Sequence, residues 1–414
     1  MKLEQKLFID KVIGNPTALL LNLLARIIGF CLRIDHSLDK PFKTIAVSKY
    51  LGMGSIIQAT PLLQTLREKY PRAKIIFVTN QSNKTLLEHI SAVDEIYTIK
   101  DKNTFSLFQS VLQLLFKFWK RRPDVFIDLE LYSNFSPLIT TFSLSTNRMG
   151  FFRSDKKYRM GLFTHMMYFN QKSVLSEAYL QFARILGCKK IISTLDKIEL
   201  TQEEQTTSQK ILQEQHIEAG KYIVINPNTS DLRPERRWPA RNFILLIEKI
   251  LEQFPAYKVI LIGAKDEVEF VLSISSVFPS EKVIDTSGKL TLVNLIYLIK
   301  NAALLVTNDT GPMHIGFAQG TKTIGLFGAC SPEKYGNPPN SYFIYKNVYC
   351  SPCVHEFLIP PCKGNNQCMK LISAEEVWDA VKSFQTSLPL KKDTEDIVYE
   401  SEYVLGEVHR HKPK

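Results

Sequence analysis

The stretch TNDTGPMHIG, residues 307 to 316, places an acid, a threonine, a Gly-Pro pair and a histidine directly after the apolar run NAALLV. The apolar run predicts a buried strand, and Thr310 or Gly311 is placed to cap a helix that follows it. Pro312 suits the first turn of that helix, where its missing N–H costs nothing. The sequence therefore predicts a helix that begins at the carboxyl end of a strand.

A helix that begins at such a place can bind an anion. We expect the backbone N–H groups of Thr310, Gly311 and Met313 to point into a cleft, with the positive end of the helix dipole behind them. Gly311 lets a ligand approach the backbone, and His314, one turn further on, can donate to the same anion. Asp309 suits sugar hydroxyls better than phosphate. An ordinary capped helix with a core histidine is the alternative.

The elements that position this stretch alternate short β-branched runs with longer amphipathic stretches from residue 43 onward. KTIAVSKYLG, AKIIFVTN and DVFIDLE predict strands of a first series, and KYIVINPN, KVILIGA and ALLVTND predict strands of a second. Two parallel-sheet α/β domains follow, with a boundary near residues 195 to 205. Ligands bind outside the carboxyl ends of such strands, so the chemistry is expected in the loops there.

Composition restricts the class of protein further. The chain has 414 residues, 45% of them hydrophobic, which is enough for roughly two to three globular domains. A formal net charge of +11 favours an anionic partner such as nucleic acid, a lipid surface or a phosphorylated substrate. Seven scattered cysteines do not form a secreted disulfide framework, which favours a reducing compartment.

The N-terminal extension, residues 1–42, contains an amphipathic helical pattern. The apolar residues of TALLLNLLARIIGFCLRI recur at helical spacing, while Asn22, Arg26 and Arg33 fall on the other face. The segment is short and charged for a membrane span, which needs about 20 apolar residues, and no signal-peptide cleavage site is recognisable. Such a helix either lies in a membrane interface or docks on the protein's own surface.

Two basic segments fall in the first series of strands and helices, KFWKRR at 117–122 and RMGFFRSDKKYR at 148–159. They would steer a phosphorylated lipid or an anionic oligosaccharide acceptor to that half. Nothing in the sequence resembles an RNA or DNA module, so no nucleic-acid partner is expected. The tail 389–414 is charged, and its composition is typical of loosely ordered chain.

Four cysteines lie close together in the sequence, Cys350, Cys353, Cys362 and Cys368. Four thiolates within 19 residues could hold a structural zinc ion, although the second pair is separated by five residues. Free or packed thiols are the alternative to a zinc site.

TNDTGPMHIGFAQGTKTIGLFGACSPEKYGNP resembles the sugar-nucleotide signature of glycosyltransferase family 9, the ADP-heptose:lipopolysaccharide heptosyltransferases. GSIIQATPLLQTLREKYPRAKI, RPDVFIDLE and VINPNTSDLRPERRWPARNF agree with that family in the same order, so the resemblance spans residues 43 to 385. It implies a GT-B fold, in which two Rossmann-like domains face each other across a cleft. The acceptor-binding domain would cover 43–200 and the nucleotide-sugar-binding domain 201–388.

The resemblance also implies a donor site in the second domain. Asn228 and Thr229 would donate to the phosphates, and Arg236 would meet the diphosphate with its forked donor set. Glu267 would accept from the ribose hydroxyls, and Leu290 would pack on the adenine. The predicted donor site further includes Asp309, Thr310, Gly311, Pro312, Met313 and His314.

The implied reaction is an inverting transfer, in which an acceptor hydroxyl attacks the anomeric carbon while a nucleoside diphosphate leaves. A helix N-terminus and Arg236 could stabilise the charge on the leaving phosphate without a metal ion. Asp128 and Glu130 form the close acidic pair that could bridge a metal instead, but they fall in the acceptor half.

One position departs from the family pattern. Members similar to the well-known heptosyltransferases carry Gly-Asp before the ATP helix, and that aspartate is taken as the base, whereas this chain has Gly54 and Ser55. A serine hydroxyl is no base, so another acid must serve or the domain binds without turnover. Period-two alternation in DVFIDLE puts Asp128 and Glu130 on one side, with Glu130 last and nearest the cleft. Glu130 is the predicted base, and a structural cap is its alternative role.

These expectations combine into one predicted activity, the transfer of a sugar, heptose from ADP-heptose, to a lipopolysaccharide-core or related glycan. The expected location is cytoplasmic, peripheral on the inner face of the cell membrane, and the nucleotide-sugar is expected to be needed without a further cofactor. A GT-B enzyme with another nucleotide-sugar donor is one alternative. A non-catalytic nucleotide-sugar-binding protein, suggested by Ser55, is the other.

Overall fold

The computed structural model describes residues 12, 14–229, 233–354, 362 and 365–386. The predicted tail 389–414 and the first residues of the N-terminal extension lie outside these ranges.

The first half of the chain builds a parallel six-stranded sheet, because its β-branched runs alternate with helices long enough to cross back over the sheet. Its strands are β1 (Thr44–Ser48), β2 (Lys74–Asn80), β3 (Glu95–Ile99), β4 (Val125–Asp128), β5 (Asn147–Phe152) and β6 (His165–Tyr168). Its helices are α1 (Asn15–Leu32), α2 (Met53–Ile57), α3 (Thr60–Lys69), α4 (Lys84–Leu87), α5 (Thr104–Arg121), α6 (Phe135–Phe142) and α7 (Leu175–Ile185). A 3₁₀ segment, Ser154–Leu162, precedes β6.

The second half repeats this construction. Its strands are β7 (Tyr222–Asn226), β8 (Lys258–Leu261), β9 (Val283–Asp285), β10 (Leu304–Asn308), β11 (Thr323–Phe327) and β12 (Ser341–Tyr345), again all parallel. Its helices are α8 (Gln202–Glu214), α9 (Ala240–Gln253), α10 (Val268–Ser275), α11 (Leu292–Lys300), α12 (Gly311–Gln319), α13 (Gln367–Lys370) and α14 (Ala374–Thr386). A 3₁₀ turn, Pro234–Arg236, follows β7.

The two sheets have the same strand order. The first runs β3-β2-β1-β4-β5-β6, and the second, taken from its β9 edge, runs β9-β8-β7-β10-β11-β12. The order reverses between β1 and β4 and between β7 and β10. A crevice for ligands lies outside the carboxyl ends of the strands at such a reversal. The predicted fold class, α/β with two Rossmann-like halves, is confirmed.

The hydrophobic core shows how the halves pack. One buried cluster contains residues of both halves, such as Leu62 and Ile315. Val125 and Ile127 belong to this shared cluster, whereas Phe126 belongs to a cluster of first-half residues only. The period-two alternation predicted for β4 is therefore confirmed, but the strand ends at Asp128, two residues earlier than the pattern predicted.

Candidate functional site

The crevice of the second half is built where β10 ends and α12 begins. Thr310 is the N-cap of α12 with extended backbone, and Pro312 lies in the first turn, as the sequence predicted. The Asn226 side chain, at the end of β7, donates to the hydroxyl oxygens of Thr310 (2.7 Å) and Thr307 (3.0 Å). These bonds fix the start of the helix relative to the neighbouring strand.

The backbone amides at this helix start are only partly available to a ligand. The Met313 N–H donates to the Thr310 carbonyl at 3.2 Å, so the prediction that it is free is wrong, because the first turn uses it. The Met313 side chain is fully buried. Within the described residues, the N–H groups of Thr310 and Gly311 donate no hydrogen bond. Gly311 lies against the first half, since a Cβ there would be 2.6 Å from Cε of Met53.

Arg236 reaches this helix start from the turn after β7. Its Nη1 donates to the Asp309 carbonyl (3.0 Å) and to the Asp309 carboxylate (3.2 Å). Its Nε is buried and has no hydrogen-bond partner in the described part of the chain. Burial lowers the pKa of Arg236, but the Asp309 carboxylate and other neighbours outweigh it, so the net shift is upward. Asp309, expected to face sugar hydroxyls, is 2% exposed and paired with this guanidinium.

Asn228 and Thr229 follow β7 and are both buried. One hydrogen of the Asn228 side-chain NH₂ is donated to the Ile262 carbonyl at 2.8 Å, and its predicted role as a phosphate donor stays a prediction. Oδ1 of Asn228 and Oγ1 of Thr229 have no partner among the described residues. Buried polar atoms are normally paired, so these two atoms and Nε of Arg236 mark the crevice as a polar site.

Glu267 and Leu290 lie in loops at the same edge of the second sheet. Glu267 accepts from the Ala264 backbone N–H at 2.7 Å and so caps the short turn after β8. Leu290 follows β9, is half-buried and packs against the shared core. The structure therefore puts both residues at the predicted edge, and their contacts with ribose and adenine stay predictions.

His314 lies where the two halves meet, near Asp309 and Arg236. Its Nδ1 lies 3.2 Å from the Gln58 side-chain nitrogen, and its ring covers Gly54 so closely that a Cβ there would be 2.2 Å from Cδ2 and 2.7 Å from Nε2. Burial lowers the pKa of His314 to about 4, so the imidazole is neutral at neutral pH. The side chain joins the two halves through Nδ1, and its predicted donation to the anion stays a prediction.

The crevice of the first half is closed by Glu130. Its Oε1 accepts from the backbone N–H groups of Tyr50 (2.8 Å) and Leu51 (3.0 Å), and its Oε2 accepts from Lys49 Nζ (2.8 Å). The residue is 5% exposed. Glu130 thus has the structural role that the sequence left as an alternative, which conflicts with its predicted role as a base.

The other two predicted catalytic residues, Asp128 and Ser55, are also not placed to act as a general base. Asp128 Oδ1 accepts from the Ser48 hydroxyl (3.2 Å), the Ser136 hydroxyl and the Glu130 backbone N–H (3.0 Å). Its burial raises the pKa to about 6. Ser55 is half-buried beside Tyr179, whose pKa is raised by burial and lowered slightly by the Ser55 hydroxyl. These two predicted catalytic residues are therefore held by first-half groups.

The predicted zinc site is not formed in the described part of the chain, where no group of three or more His, Cys, Asp or Glu side chains could hold a metal ion. All four cysteines are free thiols. Cys353 and Cys368 are buried, and each packs in a different hydrophobic cluster. Burial raises the pKa of both thiols, with further contributions from the other cysteines of the group.

The basic segment 148–159 is largely used within the first half. Arg148 donates to the carbonyls of Leu162 and Ser145, and Arg159 is buried and donates to the Leu131 carbonyl. Arg153 pairs with the Asp155 carboxylate. Fewer charges face solvent here than the sequence suggested.

Three contributors to the site were missed by sequence reasoning, Lys49, Gln58 and Asn226. Lys49 directly follows β1 and Glu130 nearly follows β4, so the strand order, once known, would have brought them together. Gln58 stands inside the quoted stretch GSIIQATP, and Asn226 ends the strand YIVIN.

Two parallel Rossmann-like halves with a helix N-terminus and a half-buried arginine at one crevice form the architecture of GT-B glycosyltransferases. The family model described as glycosyltransferase family 9 (heptosyltransferase) matches residues 136–359. The chain belongs to glycosyltransferase family 9 and is a glycosyltransferase.

Relatives and solved structures agree with this assignment. The chain is 28% identical over 300 residues to lipopolysaccharide heptosyltransferase 1 of Campylobacter coli, covering 69% of this chain and 84% of that protein. It resembles the solved family 9 glycosyltransferase of Veillonella parvula (TM-score 0.71, 22% identity, 85% of this chain, 100% of that one). It also resembles the ADP-heptose heptosyltransferase II of Escherichia coli (TM-score 0.65, 19% identity, 83% and 99%).

Proposed function

We propose that this glycosyltransferase moves heptose from ADP-heptose to a lipopolysaccharide-core or related glycan. The names of its relatives support the substrate class, including lipooligosaccharide heptosyltransferase 2 of Campylobacter jejuni, 24% identical over 81% of this chain and 96% of that protein. The observation that carries the proposal is the half-buried Arg236 at the start of α12, whose buried Nε has no partner among the described residues.

In the proposed mechanism the donor diphosphate binds between Arg236 and the amides of Thr310 and Gly311. The acceptor hydroxyl attacks the anomeric carbon as the bond to the diphosphate breaks, the hydroxyl proton passes to solvent water, and the configuration inverts. The negative charge that grows on the leaving phosphate is then met by a fixed cation and by the positive end of a helix dipole. The diphosphate competes with the Asp309 carboxylate for Arg236, so Asp309 keeps the guanidinium in place between turnovers. A metal ion is not needed for this stabilisation.

On the acceptor side we assign Glu130 a positioning role. Its carboxylate holds residues 49–51, and α2, which carries Ser55, begins two residues later. The acceptor would then bind against a loop whose backbone is fixed. We further propose that the enzyme works in the cytoplasm, on a phosphorylated or otherwise anionic glycolipid, at the membrane surface.

Calorimetry with a panel of nucleotide-sugars, followed by an assay of acceptor-dependent nucleotide release, tests the proposal. Tight binding of ADP-heptose over UDP- and GDP-sugars, and ADP release only with a lipopolysaccharide-core acceptor, is the expected result. Preference for another nucleotide-sugar would show that the enzyme uses a different class of donor. Donor binding without release, with every core acceptor tested, would favour the binding protein that Ser55 suggests.

A further inference from the structure

Helix α1 is oriented in the opposite way to an amphipathic helix of a soluble protein, which buries its apolar stripe. The residues it buries are Ala18 and Asn22. Its large apolar side chains are exposed, from 41% to 83%: Leu19, Leu20, Leu23, Leu24, Ile27, Ile28, Phe30 and Leu32. The apolar stripe is therefore not docked on the described part of the chain, which removes one of the two roles that the sequence allowed.

Hydrogen bonds hold α1 in this orientation. Asn22 Oδ1 accepts from the Gly161 backbone N–H (3.0 Å) and from Arg26 Nε (2.9 Å). The approach is close, because a Cβ on Gly161 would be 2.1 Å from Asn22 Oδ1. One turn before Ala18, Asn15 Oδ1 accepts from the Asn134 side chain. Small residues and asparagines at a contact, with large apolar residues turned outward, are typical of helices that meet lipid.

A second exposed apolar region lies beyond α6, which contacts both α1 and α5. We call this region the α5 edge. It consists of Phe116, Trp119, Phe142 and Leu144, whose exposed fractions lie between 38% and 62%. Trp119 Nε1 donates to the Phe142 carbonyl at 2.7 Å, which ties α5 to the end of α6.

The charges that α1 and α5 carry themselves have one sign. Lys120 and Arg122 are exposed beside the α5 edge, and no acid occurs between residues 104 and 122. Residues 15–34 contain two arginines and no acid. Helices α5 and α6 cover the face of the first sheet opposite the core that both halves share. A flat partner could bind there without covering the cleft.

We propose that α1 and the α5 edge together form a docking surface for an anionic phospholipid bilayer, with α1 lying in the plane of the interface. Exposed leucines and isoleucines enter the acyl boundary, a tryptophan sits at headgroup level, and lysines and arginines contact lipid phosphates. By length and composition alone the 18-residue α1 could also cross a membrane. Its bonds from Asn15 and Asn22 to the first half favour the in-plane position, because a crossing helix would have to break them.

This inference deepens the membrane partner proposed above, and its test uses vesicles with neither donor nor acceptor, so it fails or succeeds separately from the transfer activity. The full chain is floated with vesicles of phosphatidylethanolamine and phosphatidylglycerol, or of phosphatidylcholine only. The chain has three tryptophans, and Trp238 and Trp378 are 0% and 5% exposed. Brominated lipids should therefore quench Trp119, and the quenching should disappear in Trp119→Phe.

Matched variants separate the apolar and basic contributions. Ile27→Gln with Ile28→Gln should weaken partition into the anionic vesicles at least about tenfold, because two exposed apolar side chains are lost. Lys120→Gln and Arg122→Gln should each weaken it roughly fivefold, and the wild type should bind the neutral vesicles much less. Leu272→Gln with Val277→Gln, equally exposed residues of the second half, should change nothing.

Three results would overturn the proposal. The first is undiminished vesicle binding by the Ile27/Ile28 double variant. The second is a vesicle-independent dimer that this variant dissociates, which would mean that a second copy covers α1. The third is resistance of the bound chain to alkaline carbonate, which would mean that α1 crosses the bilayer.

Discussion

In each half of the molecule a charged side chain spans the point where the strand order of the sheet reverses. The two side chains differ in how completely the protein's own groups bind them. Glu130 follows β4 and reaches the loop after β1, where three donors occupy its carboxylate. Arg236 follows β7 and reaches the end of β10, where one of its buried nitrogens has no partner among the described residues. A charge at a topological switch point is therefore not by itself a ligand site. Asp309 pairs with the Arg236 charge as Lys49 pairs with that of Glu130, so what distinguishes the two crevices is the buried Nε of Arg236, which has no partner among the described residues.

The largest effect is expected from Glu130→Gln, which removes the carboxylate that closes the crevice of the first half. Glu130→Gln leaves Lys49 buried without its carboxylate, and removing one partner of a buried ion pair costs about 3 to 5 kcal/mol. We expect urea unfolding to show a loss in that range, with nucleotide affinity unchanged. Glu68→Gln, which removes an exposed pair with Lys190, should cost less than about 1 kcal/mol. Unchanged stability together with a 10²- to 10⁴-fold (roughly) lower turnover would restore Glu130 as the base.

The pH dependence of stability that Asp128 causes sharpens the comparison. Asp128 lies in the closed crevice, yet its Oδ2 has no hydrogen-bond partner among the described residues. Its pKa rises from the ordinary 3.8 to about 6 on folding, so the folded chain binds the proton more tightly. The contribution of this group to stability is thus complete below pH 3.8 and is lost as the pH rises through 6. The loss is about 3 kcal/mol.

The measurement is the unfolding free energy of the wild type minus that of Asp128→Asn at pH 4 and pH 7. This difference should fall by about 3 kcal/mol between the two pH values. A difference that stays constant would show that Asp128 titrates normally in the folded chain.

A smaller effect is expected in the open crevice. Arg236→Ala should weaken ADP binding by about 1.5 to 3 kcal/mol, the range for a hydrogen bond to a charged group. Calorimetry measures this, with Arg241→Ala, an exposed arginine of α9, as the matched control. Equal affinity in the two variants would remove Arg236 from the donor site.

The last prediction is that removal of metal ions has no effect on the transfer rate. If Arg236 and the start of α12 supply the charge stabilisation, EDTA should leave the transfer rate unchanged. A loss of activity that Mg²⁺ or Mn²⁺ restores would show that this crevice needs a metal ion as well.

Local rules explain which parts of the site could be predicted from sequence. The strands, their parallel order in two halves and the start of α12 follow from β-branched runs and from the capping preferences of Thr310 and Pro312. The roles of Glu130 and His314 did not follow. Lys49 is 81 residues before Glu130 and Gln58 is 256 residues before His314, so neither partner is visible until the sheets are assembled.

The orientation of α1 could not be predicted from the sequence either. Its amphipathic pattern is clear, but the pattern does not say which face meets the protein. Asn22 decides this by accepting from Gly161, 139 residues later in the chain. Asn15 and Asn22 thus bind the first half, while the large apolar side chains of the helix face outward.

The contact between Gly54 and His314 sets a mechanical limit on how far the two halves can close. The imidazole already lies where a methyl group on Gly54 would stand, so a further closing rotation drives the ring into main-chain atoms. Main chain cannot move aside as a long side chain can, and the ring is itself wedged between Phe317 and Tyr335. The two halves thus meet here through main chain and a packed ring rather than through a flexible side chain.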